Sequence, residues 1–398
     1  MKLTCILPVA ERNVFRARWL MVGPDRILEN SCLETENFRV TGIPGRSSDA
    51  NIRDLGGGII MPLLVNAHTH LELSALKNRL DYTKGFEAWV KDLLAERDAI
   101  GTEALANAAF QEIDDLMVNG TGAVGEISTL GLTANLLSTS GLGGVWFNEV
   151  LGSNTDILSE YVAPLPDRNT SKMPALVFSL AGHAPHTTSP ELLRSAKKTA
   201  FEHCRPFSIH LAESQAESDF INGEKGGWAK FLASRGIDIS DWPVGNKSPV
   251  AYLDELGLLD ETTLAVHLIR TSGQDLDILA RTRTKVCLCP RSNYNLHQRL
   301  PDIDGLLARG MAPALGTDSL ASCDSLSLFD EMAFVREKYP GVAPETVLSM
   351  AGINGAKALG LAPVMGRLEK NCWAGFLYVE LESSSPAQII ESLTFNEI

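Results

Sequence analysis

Two histidines, His68 and His70, stand one residue apart directly after an apolar run, Gly58–Leu64. Successive side chains of a strand point to opposite faces, so two histidines with this spacing point the same way and can hold one cation. Further polar residues follow later apolar runs in the same manner, namely His183, His210 with Glu213, His267 and Asp318. One His-x-His pair is weak evidence, but its repetition after several strands predicts a shared metal site.

Apolar runs rich in β-branched residues alternate with helical stretches along most of the chain, which is typical of a parallel barrel. The predicted strands are Ile59–Val65, Gly122–Ile127, Gly144–Val150, Ala175–Leu180, Phe207–Leu211, Thr263–Leu268, Lys285–Cys289 and Ala312–Gly316. Helix starts are recognisable between them, for example an N-cap serine followed by proline at Ser189-Pro190. The pattern predicts an α/β fold, a (β/α)₈ barrel of the TIM type, whose reactive side chains gather where strands end.

The two ends of the chain depart from the barrel pattern. Residues 1–58 and 363–398 both contain short strand-like runs without the long helices of the middle region. We therefore expect residues 59–362 to form the barrel and the two terminal segments to meet in one small β-sandwich.

The composition of the 398-residue chain narrows the classes of function. Hydrophobic residues make up 44%, typical of a globular protein with a large core, and the net charge of −14 disfavours nucleic acid as a partner. We find no secretory signal and no apolar run long enough for a bilayer, so we expect a cytoplasmic protein away from membranes. The seven cysteines form no disulfide pattern, and Cys287 and Cys289 are expected to be small strand hydrophobes.

The motifs Asn66–His70, His210–Glu213, Val266-His267 and Gly316–Ser319 together resemble those of the amidohydrolase superfamily. Within it, the resemblance is to the branch of cytosine deaminase, the adenine-type and guanine deaminases and the triazine hydrolases, and it spans essentially the full length. It implies one divalent ion, with zinc favoured and iron or manganese as alternatives. The implied ligands are His68, His70, His210 and Asp318.

Binuclear members of the superfamily bridge two ions with a carboxylated lysine at the end of the fourth strand. The corresponding stretch of this chain, residues 175–186, contains no lysine. One metal ion is therefore the expectation.

The same resemblance assigns the groups that move protons. Glu213 stands three residues after His210, and it is expected to carry a proton from water to a ring nitrogen. The alternative is an acid that caps the following helix. His267 resembles the histidine that polarises the attacking water, with a structural role as its alternative. Asp318 is expected to serve both as a weak ligand and as a proton acceptor.

Two histidines after the fourth strand are candidates for substrate contact. His183 and His186 lie in His-Ala-Pro-His, where the family commonly has His-Ala-Pro-Tyr. The resemblance implies that His183 contacts the substrate ring. His186 either faces the pocket or fills the space of the usual tyrosine.

Three further residues are candidates with equally plausible structural alternatives. Glu72 could bind ribose hydroxyls or form a salt bridge in a loop. Trp89, with Phe86, could stack on a purine or belong to the core. Arg291 could bind an anionic or carbonyl group or form a surface salt bridge.

The combination of His68–Ser74 with His210–Ser214 resembles most the aminodeoxyfutalosine deaminases of the futalosine route to menaquinone. This resemblance implies hydrolysis of the adenine amino group of a nucleoside whose ribose carries a benzoate arm. Deamination of S-adenosylhomocysteine or methylthioadenosine, and hydrolysis of another cyclic amidine or a triazine, are the alternatives. The expected partner is a small-molecule substrate, and because relatives often form dimers, a homodimer is one expected assembly.

Overall fold

The computed structural model describes residues 2–45, 52–158, 174–224, 226–240 and 242–395. The strands are β1 (Leu3–Ile6), β2 (Asn13–Arg16), β3 (Trp19–Gly23), β4 (Arg26–Glu29), β5 (Cys32–Glu36), β6 (Arg39–Gly42), β7 (Ile52–Asp54), β8 (Ile59–Pro62), β9 (Leu64–Thr69), β10 (Thr121–Ser128), β11 (Gly143–Val150), β12 (Leu176–Gly182), β13 (Phe207–Leu211), β14 (Thr263–His267), β15 (Lys285–Leu288), β16 (Ala314–Leu315) and β17 (Phe376–Val379).

Helices connect most of these strands. They are α1 (Phe86–Ile100), α2 (Thr102–Val118), α3 (Ala134–Thr139), α4 (Pro190–Glu202), α5 (Gln215–Ile221), α6 (Gly227–Ser234), α7 (Pro249–Glu255), α8 (Gly273–Thr282), α9 (Pro290–His297), α10 (Ile303–Ala308), α11 (Leu328–Lys338), α12 (Pro344–Met350), α13 (Ile353–Ala358) and α14 (Pro386–Thr394), with 3₁₀ turns at Leu71–Leu76 and Tyr82–Lys84. Within the described ranges, no helix has the length and apolar character needed to cross a membrane.

The largest sheet has eight strands in the order β16-β15-β14-β13-β12-β11-β10-β9, and neighbouring strands are parallel. Its two edges meet, because Thr69 and Asp318 form a parallel bridge. The backbone N–H groups of Thr317 and Asp318 also donate to the carbonyl of His68, at 3.0 and 3.1 Å. The predicted (β/α)₈ barrel is confirmed, and its closing seam joins the strand ends that carry His68 and Asp318.

The predicted helix start at Ser189-Pro190 is confirmed. The side chain of Ser189 accepts a hydrogen bond from the backbone N–H of Leu192 at 3.2 Å. The helix then packs closely on β12, where a Cβ added to Gly182 would lie only 2.3 Å from Leu193. Glycine at this position therefore lets the helix approach the strand end that carries His183.

The terminal segments form two further sheets, with the orders β1-β17-β8-β3-β4 and β6-β5-β2-β7. The C-terminal strand β17 lies between β1 and β8. Phe15 from one sheet and Phe376 from the other meet edge to face, with ring centroids 4.9 Å apart. The sandwich expected from the chain ends is thus present.

The first predicted barrel strand, Ile59–Val65, is divided between two sheets. Ile59–Pro62 pairs with β17 and β3 in the terminal sheet, whereas Leu64–Thr69 is the barrel strand that pairs with β10. One continuous apolar run thus leaves the sandwich and enters the barrel, and it delivers both histidines of the His-x-His motif to the end of the barrel strand.

The cysteines are all free thiols, and Cys287 and Cys289 are fully buried in the barrel core. Their role as small hydrophobes at the seventh barrel strand agrees with the expectation from the sequence.

Candidate metal centre and active site

Three histidines from two barrel strands converge at the carboxyl-terminal mouth of the barrel. The Nε2 atom of His210 lies 3.3 Å from the Nε2 atom of His68 and 3.3 Å from that of His70. All three side chains are buried. Burial lowers the pKa of both His70 and His210 to about 3, and it lowers that of His68 well below its ordinary value. The rings are therefore neutral, which is the form that binds metals.

The donor spacing fits a metal ion. With metal–nitrogen distances of about 2.0–2.1 Å, two ligands of a tetrahedral site lie roughly 3.3–3.4 Å apart. The Nδ1–H group of His210 donates to the carbonyl of His183 at 2.7 Å, so the lone pair of this ring is on Nε2 and points at the other two imidazoles. A lone pair of His210 that points at the Nε2 atoms of two further neutral imidazoles is compatible with a shared cation.

Asp318 completes this cluster. Its Oδ1 atom is 3.7 Å from the Nε2 atom of His70, while Oδ2 accepts hydrogen bonds from the hydroxyls of Ser292 at 2.6 Å and Ser322 at 3.3 Å. The structure therefore brings the four predicted ligands together. The two serines hold one carboxylate oxygen and leave the other toward the imidazoles.

The second metal-compatible group, formed by Glu149, His183 and His210, shares one residue with the first. His210 faces it through Nδ1, which is 3.7 Å from Glu149 Oε1 and already bonded to the His183 carbonyl. Because this nitrogen carries a proton in that bond, it is not a ligand. Glu149 instead accepts a hydrogen bond from the hydroxyl of Thr129 at 2.7 Å.

Strained backbone is concentrated where these strands end. Three residues adopt positive φ values: Ala212 at 52°, His267 at 79° and Asp318 at 60°. Residues other than glycine occupy this backbone region at a cost of about 1–3 kcal/mol each. Local bonds hold these turns, including one from the hydroxyl of Thr69 to the carbonyl of Asp318 at 3.0 Å. The strain turns the side chains at the strand ends toward the shared centre.

Glu213 and His267 stand beside the three imidazoles. The ring of His267 lies 5.3 Å from that of His210 and 5.7 Å from that of His68, and its Nε2 atom is 3.9 Å from Glu213 Oε2. His267 Nδ1 is 2.9 Å from the side-chain oxygen of Asn293, which fixes the orientation of the ring. The two predicted proton-transfer groups thus face each other next to the metal centre.

His297 was not among the residues predicted from the sequence. Its Nε2 atom is 3.3 Å from Glu213 Oε1, so Glu213 lies between two imidazoles. Burial raises the pKa of Glu213, but His267 and His297 outweigh that effect, and the net result is a lowered pKa. The sequence does contain a signal, because Asn293 and His297 are four residues apart and share one face of α9.

Glu217 is a second residue that sequence reasoning missed. Its carboxylate accepts hydrogen bonds from the backbone N–H groups of Ala212 at 2.9 Å and Glu213 at 2.7 Å, and burial raises its pKa to about 8. The side chain of Ser214 in turn accepts from the N–H of Glu217. The Ser-x-x-Glu spacing of a capping box could have identified it. Glu217 fixes the turn that presents Glu213.

The two histidines after β12 take different positions. The ring of His183 lies 5.1 Å from that of His210, and its Nδ1 atom is 2.7 Å from the hydroxyl of Thr187. His186 is buried against Trp228, with ring centroids 4.9 Å apart, and Trp228 donates to the carbonyl of His186 at 3.3 Å. His183 is therefore at the site, whereas His186 belongs to its wall.

The remaining three candidates are bonded to other parts of the protein. Glu72 accepts from one hydroxyl and three backbone N–H groups of residues 128–132. Trp89 is buried and donates to the carbonyl of Ala321 at 3.3 Å. The guanidinium group of Arg291 contacts the carboxylates of Asp324, Asp330 and Glu331. These contacts support the structural alternative for each residue.

A cavity of about 280 Å³ lies next to Glu213. Its wall includes Ser214, which follows Glu213 in the sequence, and His297, which contacts the Glu213 carboxylate. Its lining residues are Phe86, Glu87, Ser214, Gln215, Ala216, Arg270, Leu296 and His297. The rings of Phe86 and His297 pack at a centroid distance of 4.7 Å. The cavity is large enough for part of a small organic molecule and contains both apolar and charged walls.

Comparison with known proteins agrees with this geometry. The sequence profile of the amidohydrolase family matches residues 59–397. The aminodeoxyfutalosine deaminase of Deinococcus radiodurans is 32% identical over 316 residues, which cover 76% of this chain and 74% of that protein. A 5-methylthioadenosine/S-adenosylhomocysteine deaminase of Nitratidesulfovibrio vulgaris is 27% identical over 399 residues, covering 95% and 85% of the two chains.

A solved structure is similar over nearly the whole length. The aminofutalosine deaminase of Helicobacter pylori, in complex with methylthio-coformycin, superposes with a TM-score of 0.84 and 25% sequence identity, covering 96% of each chain. The similarity thus includes the barrel and the terminal sandwich together.

Proposed function

The chain belongs to the amidohydrolase family, and we propose that it is a metal-dependent deaminase that hydrolyses the 6-amino group of an adenine nucleoside. The observation that carries this proposal is the convergence of three neutral imidazoles beside an ionised carboxylate, Glu213, that lies between two further imidazoles. Hydrolytic removal of ammonia from an aromatic ring needs an activated water and a group that moves its proton.

We propose that one divalent ion binds to His68, His70, His210 and Asp318. Bound there, the ion would lower the pKa of a water molecule and supply the nucleophile near neutral pH. Zinc suits a set of three imidazoles and one carboxylate, and iron or manganese could use the same ligands.

The side chains around this centre would then move the protons. Glu213 takes a proton from the attacking water and delivers it to the ring nitrogen, while oxygen forms a bond to the amino-bearing carbon. His267 stabilises the developing charge on that oxygen. Asp318 accepts the remaining proton, which leaves with the amino group as ammonia, so that adenine becomes hypoxanthine. His183 is placed to contact the ring.

Aminodeoxyfutalosine is the substrate that we propose, because two relatives with this activity resemble the chain in sequence and in structure. Deamination of methylthioadenosine or S-adenosylhomocysteine is the second candidate, since a relative with that activity covers almost the entire chain. A place in menaquinone biosynthesis, a cytoplasmic location and a homodimer stay predictions.

A deamination screen tests the proposal. The metal-loaded protein is incubated with aminodeoxyfutalosine, S-adenosylhomocysteine, methylthioadenosine, adenosine, guanine and cytosine, and turnover is followed by ammonia release and by the ultraviolet change from adenine to hypoxanthine. We expect the highest kcat/KM for aminodeoxyfutalosine. Faster reaction of free cytosine or guanine than of every adenine nucleoside would contradict the proposal.

A further inference from the structure

Arg270 is a charged residue of the cavity that the proposed chemistry does not use. It stands three residues after His267, and its backbone N–H donates to the carbonyl of Ala212 at 2.8 Å, which anchors it beside the turn that carries Glu213. Its Nη1 atom donates to the side-chain oxygen of Gln215 at 2.5 Å. Its Nε–H group is buried and has no hydrogen-bond partner among the described residues.

Charges of opposite sign act on Arg270. Burial, followed by the charge of Arg299, lowers the pKa of Arg270, and the carboxylate of Asp219 opposes this effect. Asp219 itself accepts a hydrogen bond from Gln215 at 2.6 Å. Within the described ranges, neither arginine forms an ion pair with a carboxylate. A guanidinium group on the cavity wall, whose buried Nε–H has no hydrogen-bond partner among the described residues, favours binding of an anion.

We propose that Arg270 binds a carboxylate at the distal end of the 5′ arm of the substrate. The inference rests on the proposed deamination of an adenine nucleoside and assigns the part of the chain that selects among such nucleosides. A guanidinium fork matches a carboxylate with two parallel hydrogen bonds. An arm that ends in a neutral methyl group, as in methylthioadenosine, would leave the buried Nε–H unpaired.

The position of Arg270 agrees with the path that an arm would take. A ring that reacts at Glu213 has the cavity beside it, because Ser214 and His297 form part of the cavity wall. Arg291, for which the sequence left open a contact with an anionic or carbonyl group and a surface salt bridge, is paired with three carboxylates of the protein. Arg270 therefore replaces it as the candidate.

Glu87 also lines the cavity. Its carboxylate makes the site sensitive to the net charge of the 5′ arm of the substrate. A benzoate arm has a single negative charge, whereas the arm of S-adenosylhomocysteine has an ammonium group as well. The carboxylate of Glu87 favours an ammonium group and disfavours a second anion near it. Arg270 and Glu87 would thus distinguish a neutral, an anionic and a zwitterionic arm.

The test compares matched substrates in matched variants. The kcat/KM of the metal-loaded enzyme is measured for aminodeoxyfutalosine and for its carboxamide, which has the same shape without the charge. In Arg270→Gln, the ratio of kcat/KM for aminodeoxyfutalosine to kcat/KM for the carboxamide should fall by about ten- to a hundredfold, as expected for loss of a hydrogen-bonded charge pair. Arg26→Gln removes the same charge from an exposed position of the terminal sheet and should leave the ratio unchanged.

An unchanged ratio in Arg270→Gln, with deamination intact, would overturn the role of Arg270 and leave the deaminase in place. If the wild-type protein deaminates no adenine nucleoside, both the proposed function and this inference are wrong. Glu87→Gln should lower kcat/KM for S-adenosylhomocysteine more than for aminodeoxyfutalosine. A larger loss for aminodeoxyfutalosine would contradict the role assigned to the Glu87 charge.

Discussion

Glu72 and Glu213 occupy equivalent places in the sequence and have different surroundings in the structure. Each acid follows a predicted metal ligand, His70 or His210, by two or three residues. The carboxylate of Glu72 accepts four hydrogen bonds, from the hydroxyl of Ser128 at 2.5 Å and from backbone N–H groups between 2.7 and 3.0 Å. Among the described residues, the close polar partners of the Glu213 carboxylate are two imidazole nitrogens, at 3.3 and 3.9 Å.

The difference in hydrogen-bond donors distinguishes a glutamate with a structural role from one that can take part in catalysis. Backbone N–H groups do not take up a proton, so a carboxylate whose oxygens they saturate is fixed in its position. An imidazole nitrogen can donate or accept a hydrogen bond, and a carboxylate between two imidazoles can change its bonds during a reaction. The type of donor, more than the acid itself, therefore decides which glutamate serves catalysis.

The catalytic role proposed for Glu213 depends on a metal ion bound beside it. Removal of a metal ligand should therefore have the largest effect on activity. We expect His68→Ala to lose the ion and essentially all activity, because His210 and His70 then lack the third imidazole. Metal analysis of the purified protein and turnover assays measure both. His203→Ala, at an exposed histidine after α4, is the matched control and should keep metal and activity. Full metal content in His68→Ala would contradict the proposed ligand set.

Glu213→Gln tests the catalytic side of the comparison. The amide keeps the shape and can still contact His297, but it does not accept a proton from water. We expect kcat to fall by on the order of a hundredfold or more, about 2.7 kcal/mol in the barrier, with the metal retained and the thermal midpoint unchanged. Near-normal turnover with full metal content would exclude Glu213 from the proton path.

Glu72→Gln tests the structural side. One carboxylate oxygen becomes an NH₂ group, so either the N–H groups of Thr129 and Leu130 at Oε2 or the Ser128 hydroxyl and the Leu132 N–H at Oε1 lose their acceptor. We expect the free energy of unfolding to fall by roughly 1–3 kcal/mol in denaturant titrations, with a smaller change in kcat than in Glu213→Gln. A strong rise in KM at unchanged stability would restore the alternative that Glu72 binds ribose hydroxyls.

The sequence predicted the barrel and the ligand histidines because both depend on local patterns. The two-residue period of a strand and the position of its end are enough to place His68, His70 and His210 at one mouth. The environment of Glu72 depends on residues 56 to 60 positions away, and that of Arg291 on residues 33 to 40 positions away. No local pattern reports such partners, so a structural and a binding role could not be separated.

Local patterns also explain why the boundary of the first strand was less accurate. Ile59–Val65 is apolar throughout, and the run contains no sign of the passage from β8 to β9 except Pro62. A strand buried on both faces has no alternation that would mark the change of sheet.

The smallest effect in this comparison concerns His297, which we interpret as a positioning residue for Glu213. His297→Phe keeps a ring to pack on Phe86 and removes the nitrogen that lies 3.3 Å from Glu213 Oε1. We expect kcat to fall by about three- to tenfold, the value of one hydrogen bond, with KM changing less than kcat. His297→Gln places an amide N–H in a similar position and should restore most of the loss. If His297→Phe leaves kcat unchanged, or if both variants lose activity only through a raised KM, then His297 belongs to the cavity wall and Glu213 is positioned without it, by Glu217 and His267.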